Sequence, residues 1–365
     1  MRHRFHSICP YFAMFPEQFA EQWISRCTKP GQTVMDPFCG RGTAPFQAVL
    51  MDRNAIGNDA NPVAFVLTGA KVESPTLGSV KGRLRALEQS YNAEVVEAER
   101  LLLPSFFKRA FHHSTLRQIL HLRRNLNWKV SRVDRFVAAL ALGALHGEMT
   151  NAEAYFSNQM PRTISTKPAY SLSFWRKHKL WPQRREVFSI LRRKAAFRFE
   201  SPRPTIRGQT YLSDVRTLSS AITNTKAPVD CIITSPPYLD VTNFEEDQWL
   251  RLWFLGGAAE PRVDIYSRDN RHKNPARYWA FLCEGWQALR PLLAQRSTFI
   301  CRIGGRNIDP DSIKETLSSS VQFLARRWTL QDYTVSTLIR RQTDAFRPGS
   351  VGCRFEMDFC FDLYQ

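Results

Sequence analysis

The chain has 365 residues, with 51 Lys+Arg against 33 Asp+Glu and a formal charge of +18. At 43% hydrophobic and 12% aromatic it reads as a folding globular chain of roughly two to three domains, which excludes a disordered basic tail. No apolar run approaches the ~18 residues of a membrane span, residues 1–20 carry no leader-like apolar segment, and the eight cysteines form no C-x-x-C pair. The expectation is a protein of the reducing cytoplasm, with no membrane attachment, no zinc ribbon and no disulfide scaffold.

Glu17–Cys27 predicts a helix closed by the turn Lys29-Pro30-Gly31. Thr33-Val34-Met35 predicts a short buried strand, which runs into the loop Asp36-Pro37-Phe38-Cys39-Gly40-Arg41-Gly42. A helix then opens at Thr43, tolerates Pro45 in its first turn and reaches about Met51. Ala55-Ile56-Gly57 predicts a second strand ending at Asp59, so the first ~75 residues form a β-loop-α-β unit.

Residues 80–200 change character. Patterns at helical spacing, such as Val80–Leu103 and Val130–Leu145, dominate, and Pro161, Pro168 and Pro182 cut the later part into loops and short helices. Residues 101–200 hold 19 Lys+Arg and five Asp+Glu, an excess of 14 positive charges in one stretch. With Trp175 and Trp181 interleaved, this points to a polyanion-binding surface rather than an ordinary solvated face. Arg176, Lys177, Lys179, Arg184 and Arg185 are its candidate contacts.

Strand signals return at Gln209–Leu212, ending at Asp214, and at Val229–Thr234, which leads into Ser235-Pro236-Pro237-Tyr238. Phe281–Leu289 reads as a helix, Thr298–Ile303 as an apolar strand, and Trp328–Leu338 and Phe355–Leu363 as two closing strands. The simplest architecture is one mostly parallel, doubly wound α/β sheet. Its halves, 1–75 and 206–365, flank a helical basic insertion at 76–205.

A glycine loop between strand and helix lets backbone approach a ligand, and the helix N-terminus favours negative charge. Alone the motif is common. It lacks the Lys-Ser/Thr of a phosphate loop and the third glycine of a dinucleotide fingerprint. Its surroundings sharpen it: Asp36 at a strand's carboxyl end could hold an ammonium group, and Asp59 could accept from ribose hydroxyls. A ligand with both an amino-acid moiety and a ribose is S-adenosylmethionine. Asp214 stands where it could accept from an adenine amine, or simply cap a turn.

In Ser235-Pro236-Pro237-Tyr238 the two prolines fix φ, and their carbonyls are left free to accept. Ser235 adds an acceptor and Tyr238 a flat ring. This set suits a planar aromatic amine, whose lone pair is delocalised until both N–H protons are accepted and the nitrogen turns tetrahedral. No covalent cysteine adduct is then needed.

Asp36–Thr43 together with Thr234–Tyr238 resembles the amino-group DNA methyltransferases, which methylate N4 of cytosine or N6 of adenine. His6–Ile24, Ala55–Pro62, Gly208–Asp214 and Leu239–Gly256 share the likeness, which spans roughly 1–70 and 205–365. The resemblance implies a Rossmann-like sheet with S-adenosylmethionine as cofactor and no metal. It also implies double-stranded DNA as partner, with a cognate restriction endonuclease as a companion to look for. Carried over, Phe15, Asp36, Phe38, Gly40, Gly42, Thr43, Asp59 and Asp214 would bind cofactor. Ser235, Pro236, Pro237 and Tyr238 would hold a flipped base, and Ser after Thr is the form most associated with N4-cytosine. The alternatives are an adenine-N6 enzyme of the same fold, an RNA guanine-N2 enzyme, and a DNA-binding protein without activity. Arg302, Gly304, Gly305 and Arg306 could line the DNA cleft or form a plain glycine turn.

Overall fold

The computed structural model describes residues 2–11, 15–147, 153–157, 159, 167–222, 227–239, 244–261, 274–305, 308–338 and 353–365; Arg306 and Pro161 lie outside them. The chain divides into two compact units. The sheet unit comprises Ala13–Glu73, Pro204–Asn243 and Ile265–Gln365, and the helical unit Met1–Phe12, Ser74–Arg203 and Phe244–Asp264.

Seven strands build the sheet: β1 (Thr33–Asp36), β2 (Asn54–Asn58), β3 (Gln209–Tyr211), β4 (Val229–Thr234), β5 (Leu293–Gly305), β6 (Arg327–Thr337) and β7 (Phe355–Tyr364). Their order is β3-β2-β1-β4-β5-β7-β6, parallel from β3 to β5, with β7 antiparallel to both its neighbours. This is a doubly wound, Rossmann-like α/β sheet. Every residue of β1 is buried, as expected of a central strand covered on both faces. The core gathers Met35, Ile232, Phe299 and Phe361 from the strands with Leu282 and Trp286 from the helix Pro275–Leu289. The strand order reverses between β1 and β4, and ligands of open α/β sheets bind outside the carboxyl ends at such a point.

The helix Glu17–Cys27 has its expected bounds, and the glycine loop opens the helix Thr43–Leu50. Gly304 and Gly305 correct the turn reading. They continue β5, paired with Glu356 and Phe355 of β7.

The helical unit holds no strand among its described residues. The long helix expected from Val80 to Leu103 is broken: one helix ends at Gln89, and a second runs from Glu97 to Leu102 after a 3₁₀ turn. Ser90 bonds back to the Leu87 carbonyl (3.2 Å) and Asn92 accepts from the Glu94 amide (2.9 Å), so side chains satisfy backbone groups that a continuing helix would use. Trp175 is a core residue, not a surface aromatic. It is 1% exposed, packs near Phe106 (5.4 Å between centroids) and donates to the Gln159 carbonyl (3.2 Å). Trp181 is exposed, with the Arg109 guanidinium over its ring at 3.5 Å.

The ends of Ser74–Arg203 are held together. Arg203 donates to the Ser74 carbonyl (3.3 Å), and in the sheet unit the Gly208 amide donates to the Val72 carbonyl (2.9 Å). Among the described residues no helix is long and apolar enough to cross a membrane, and no cluster of His, Cys, Asp and Glu could hold a metal ion.

Candidate active site

Asp36 ends β1 and is buried. Its Oδ1 accepts from the Thr234 hydroxyl (2.7 Å) and from the Phe38 amide (3.1 Å), so the last residue of β4 locks the carboxylate in place. The chain then turns through Gly40 and Gly42, at φ +50° and +72°. A Cβ on Gly42 would stand 2.5 Å from Thr68 Oγ1, so both backbone sign and space demand glycine there.

Asp59 follows β2 and folds back onto the loop. Its two oxygens accept from the Gly40 and Asn61 amides, each at 2.9 Å. Burial raises the Asp36 carboxyl to about 7, against the pull of the Thr234 and Phe38 hydrogen bonds, with Asp59 adding a smaller upward push. Burial likewise raises Asp59 to about 6, opposed by backbone amides including those of Asn61 and Gly40. Among the described residues neither acid has a basic side chain within ion-pair distance. Two adjoining acids without a cation make a site that a positively charged ligand would relieve.

Asn58, unnoticed in the sequence, ties this corner together. Its Nδ2 donates to the carbonyls of Pro37 (3.2 Å) and Ser213 (3.1 Å), and its Oδ1 accepts from the Ser213 amide (3.2 Å). One buried amide thereby joins the end of β2 to the segments that follow β1 and β3. A polar residue closing a buried strand was the signal for it.

Asp214 caps a 3₁₀ turn, and both its oxygens are engaged by Arg216: Nε at 3.0 Å on one, Nη2 at 2.9 Å on the other. Arg216 also reaches Glu284 (3.2 Å). Phe38 meets Phe281 and Trp286 edge-on at 6.0 and 6.1 Å. Thr43 opens its helix buried, its hydroxyl accepting from Arg41 Nε (3.3 Å). Phe15 is buried against Phe19 (5.0 Å).

The Ser-Pro-Pro-Tyr turn leaves the carboxyl end of β4, beside β1. Ser235 donates to the Tyr238 hydroxyl (3.3 Å), which donates in turn to Glu356 Oε1 (3.1 Å). Arg302 stands behind Glu356 at 3.5 Å, forks onto Asp358 at 2.6 and 2.7 Å, and caps the Phe19 ring at 4.0 Å. Gly304 clears space for the tyrosine, since a Cβ there would lie 2.8 Å from the ring. Burial, reinforced by Glu356, keeps the Tyr238 phenol protonated. Burial also pushes up the thiols of Cys39, Cys231 and Cys301, so none is poised as a thiolate nucleophile.

In the helical unit, Arg176, Lys177, Lys179 and Arg184 are exposed, Arg184 being paired with Glu186 (2.8 Å). Arg185 is different. It is 9% exposed, with its guanidinium on Glu153 (3.1 Å) and Gln183 (2.8 Å) and its amide on the Thr115 hydroxyl (2.8 Å), which makes it framework rather than a free contact.

Residues 3–67 match the N6/N4 methyltransferase family model, described as DNA methylase. A 76-residue stretch is 32% identical to the type II methyltransferase M.MjaII of Methanocaldococcus jannaschii, covering 21% of this chain and 14% of that protein. Among solved structures, TrmN of Thermus thermophilus aligns at 12% identity and TM-score 0.35, over 99% of this chain and 52% of that one. An rRNA methylase of Streptococcus thermophilus aligns at 8% identity and TM-score 0.35, over 97% and 99%. The fold therefore rests on the strand order itself, and the family likeness on residues 3–67.

Proposed function

We propose that the chain is an S-adenosylmethionine-dependent methyltransferase that acts on an exocyclic amine of duplex DNA, N4 of cytosine. One observation carries the reading. The glycine loop that begins at the uncompensated Asp36 and the Ser-Pro-Pro-Tyr turn leave neighbouring strands at the sheet's switch point, joined by the Thr234–Asp36 hydrogen bond. The family match over residues 3–67 supports the same reaction class.

Bound S-adenosylmethionine supplies an electrophilic methyl group on a sulfonium. Asp36 and Asp59 then have complementary tasks: an unpaired buried carboxylate for the ammonium, and an acceptor for ribose hydroxyls. Phe38 offers its ring to the adenine. Asp214 would accept from the adenine amine only in competition with Arg216. The target base must leave the duplex stack to reach this pocket. Ser235 and the Pro236 carbonyl accept its two amine protons, Pro237 holds the turn rigid, and Tyr238 stacks on the ring. Glu356 and Arg302 fix the Tyr238 orientation through its hydroxyl. As the N–C bond forms, the sulfonium S–C bond would break and leave a neutral thioether, and the cationic nitrogen would then release its surplus proton to solvent. Arg176, Lys177, Lys179 and Arg184 are proposed as contacts to the DNA backbone.

The test is nucleoside mass spectrometry of plasmid DNA after reaction. N4-methylcytosine is the expected product. N6-methyladenine would overturn the base assignment alone, and 5-methylcytosine, whose formation needs a cysteine adduct, would overturn the mechanism.

A further inference from the structure

In the helical unit two cavities open side by side along the helix Val187–Arg198, of about 540 and 380 Å³. Glu153, Ile190 and Arg193 line both, so they form one groove. Ile190, Arg193, Lys194, Phe197 and Arg198 recur at three- and four-residue spacing and share one helix face.

The charges in this groove do not balance. Arg184 is matched by Glu186, and Arg185 by Glu153 (3.1 Å), with Arg193 at the edge of the same carboxylate (3.9 Å). Among the described residues Lys194 and Arg198, one turn apart, have no carboxylate within ion-pair distance. The Lys194 ammonium stands over the Tyr155 ring, at 4.7 Å. Arg198 donates through Nη1 to the Arg4 carbonyl (3.1 Å) and Ser7 hydroxyl (2.7 Å), and its buried Nε has no hydrogen-bond partner among the described residues. Two like charges at this spacing repel each other, and burial together with that repulsion lowers Lys194 to about 8. An anion entering the groove would remove both costs. The exposed Phe197 ring and the aliphatic Ile190 give it an apolar wall.

Resting on the reading of duplex DNA as substrate, we propose that this groove seats the DNA phosphodiester backbone. Arg193, Lys194 and Arg198 are its phosphate contacts, and Glu153 competes with phosphate for Arg193. Such contacts position the duplex and make affinity depend on salt, with a slope near −0.9 per neutralised phosphate. The groove residues differ from the exposed run at 176–179, so the two surfaces can be separated by mutation.

The experiment is fluorescence anisotropy with a fluorescein-labelled DNA duplex, titrated across a range of salt concentrations. The paired variant Arg193→Gln, Lys194→Gln should weaken binding and shallow the salt slope by about 1.8, two phosphates' worth. Lys194→Arg, which keeps the charge, should bind like wild type, and Glu153→Gln should bind severalfold tighter. Calorimetric S-adenosylmethionine affinity should be unchanged in all of them, which also checks folding. A wild-type slope in the paired variant would overturn the groove assignment while leaving the proposed function intact. Absence of duplex binding by the wild-type protein would overturn both, and variants that impair binding of duplex RNA but not DNA would overturn the choice of partner.

Discussion

Replacing Asp36 with Asn should make the protein more stable above neutral pH while weakening its hold on cofactor. The side-chain oxygen of Asn can still accept from Thr234 and Phe38, so the internal hydrogen bonds survive and only the charge is lost. The native carboxyl titrates near 7 and the unfolded one near 3.8, so between those values the native state holds a proton that the unfolded state has released. The contribution of Asp36 to stability is therefore greatest at low pH and falls as pH rises, by about 1.4 kcal/mol per pH unit and about 4 kcal/mol across the window, as a ceiling. Asn contributes no such fall. In urea unfolding the advantage of Asp36→Asn over wild type should grow from about pH 4 to about pH 7 and then level off. A stability difference that stays flat with pH would refute the argument, because it would mean that the buried carboxyl is not strained. Calorimetry should show the opposite trade in binding, with the variant losing affinity for S-adenosylmethionine.

Gly42→Ala should lower stability by about 2–4 kcal/mol, combining left-handed strain with the clash against Thr68; adding Thr68→Ala should recover part of it, as read by denaturant midpoint. Tyr238→Ala should cut methyl-transfer rate by roughly tenfold to a hundredfold, the scale of about 1–3 kcal/mol for one stacked base, whereas Tyr238→Phe should keep most of it. Equal losses in both variants would show that the hydroxyl and its Glu356 contact matter more than the ring.

The first β-loop-α-β unit was legible because its signals are local. A buried strand, glycines at positive φ and a helix start lie within eleven residues, Thr33 to Thr43. The acids at strand ends were legible for the same reason. What surrounds them was not. Glu356 reaches Tyr238 only because the antiparallel register sets it opposite Gly304, and register is decided by pairing across the sheet. The alternation of Glu356 and Asp358 with apolar Met357 and Phe359 was the available hint. Asp214 could be seen as a strand-end acid, but not its capture by Arg216. In the helical unit composition announced positive charge without telling surface from framework, and so Trp175 and Arg185 prove to be buried.

The joined ends of Ser74–Arg203 bear on how this sheet can be assembled and altered. β2 and β3 are adjacent strands, with Ile56 opposite Gln209, yet about 150 residues separate them. As a flexible tether that span would cost about 2 kcal/mol more to close than one of ~15 residues. A folded insert whose two ends meet removes most of the difference and acts on the sheet as a short loop would. Ser74–Arg203 could thus be exchanged for another segment with equally close ends, provided it also packs with Met1–Phe12 and Phe244–Asp264 of the same unit, and the carboxylate corner built by Asp36, Asn58 and Thr234 would be left as it is. A new surface for a new partner requires no new sheet.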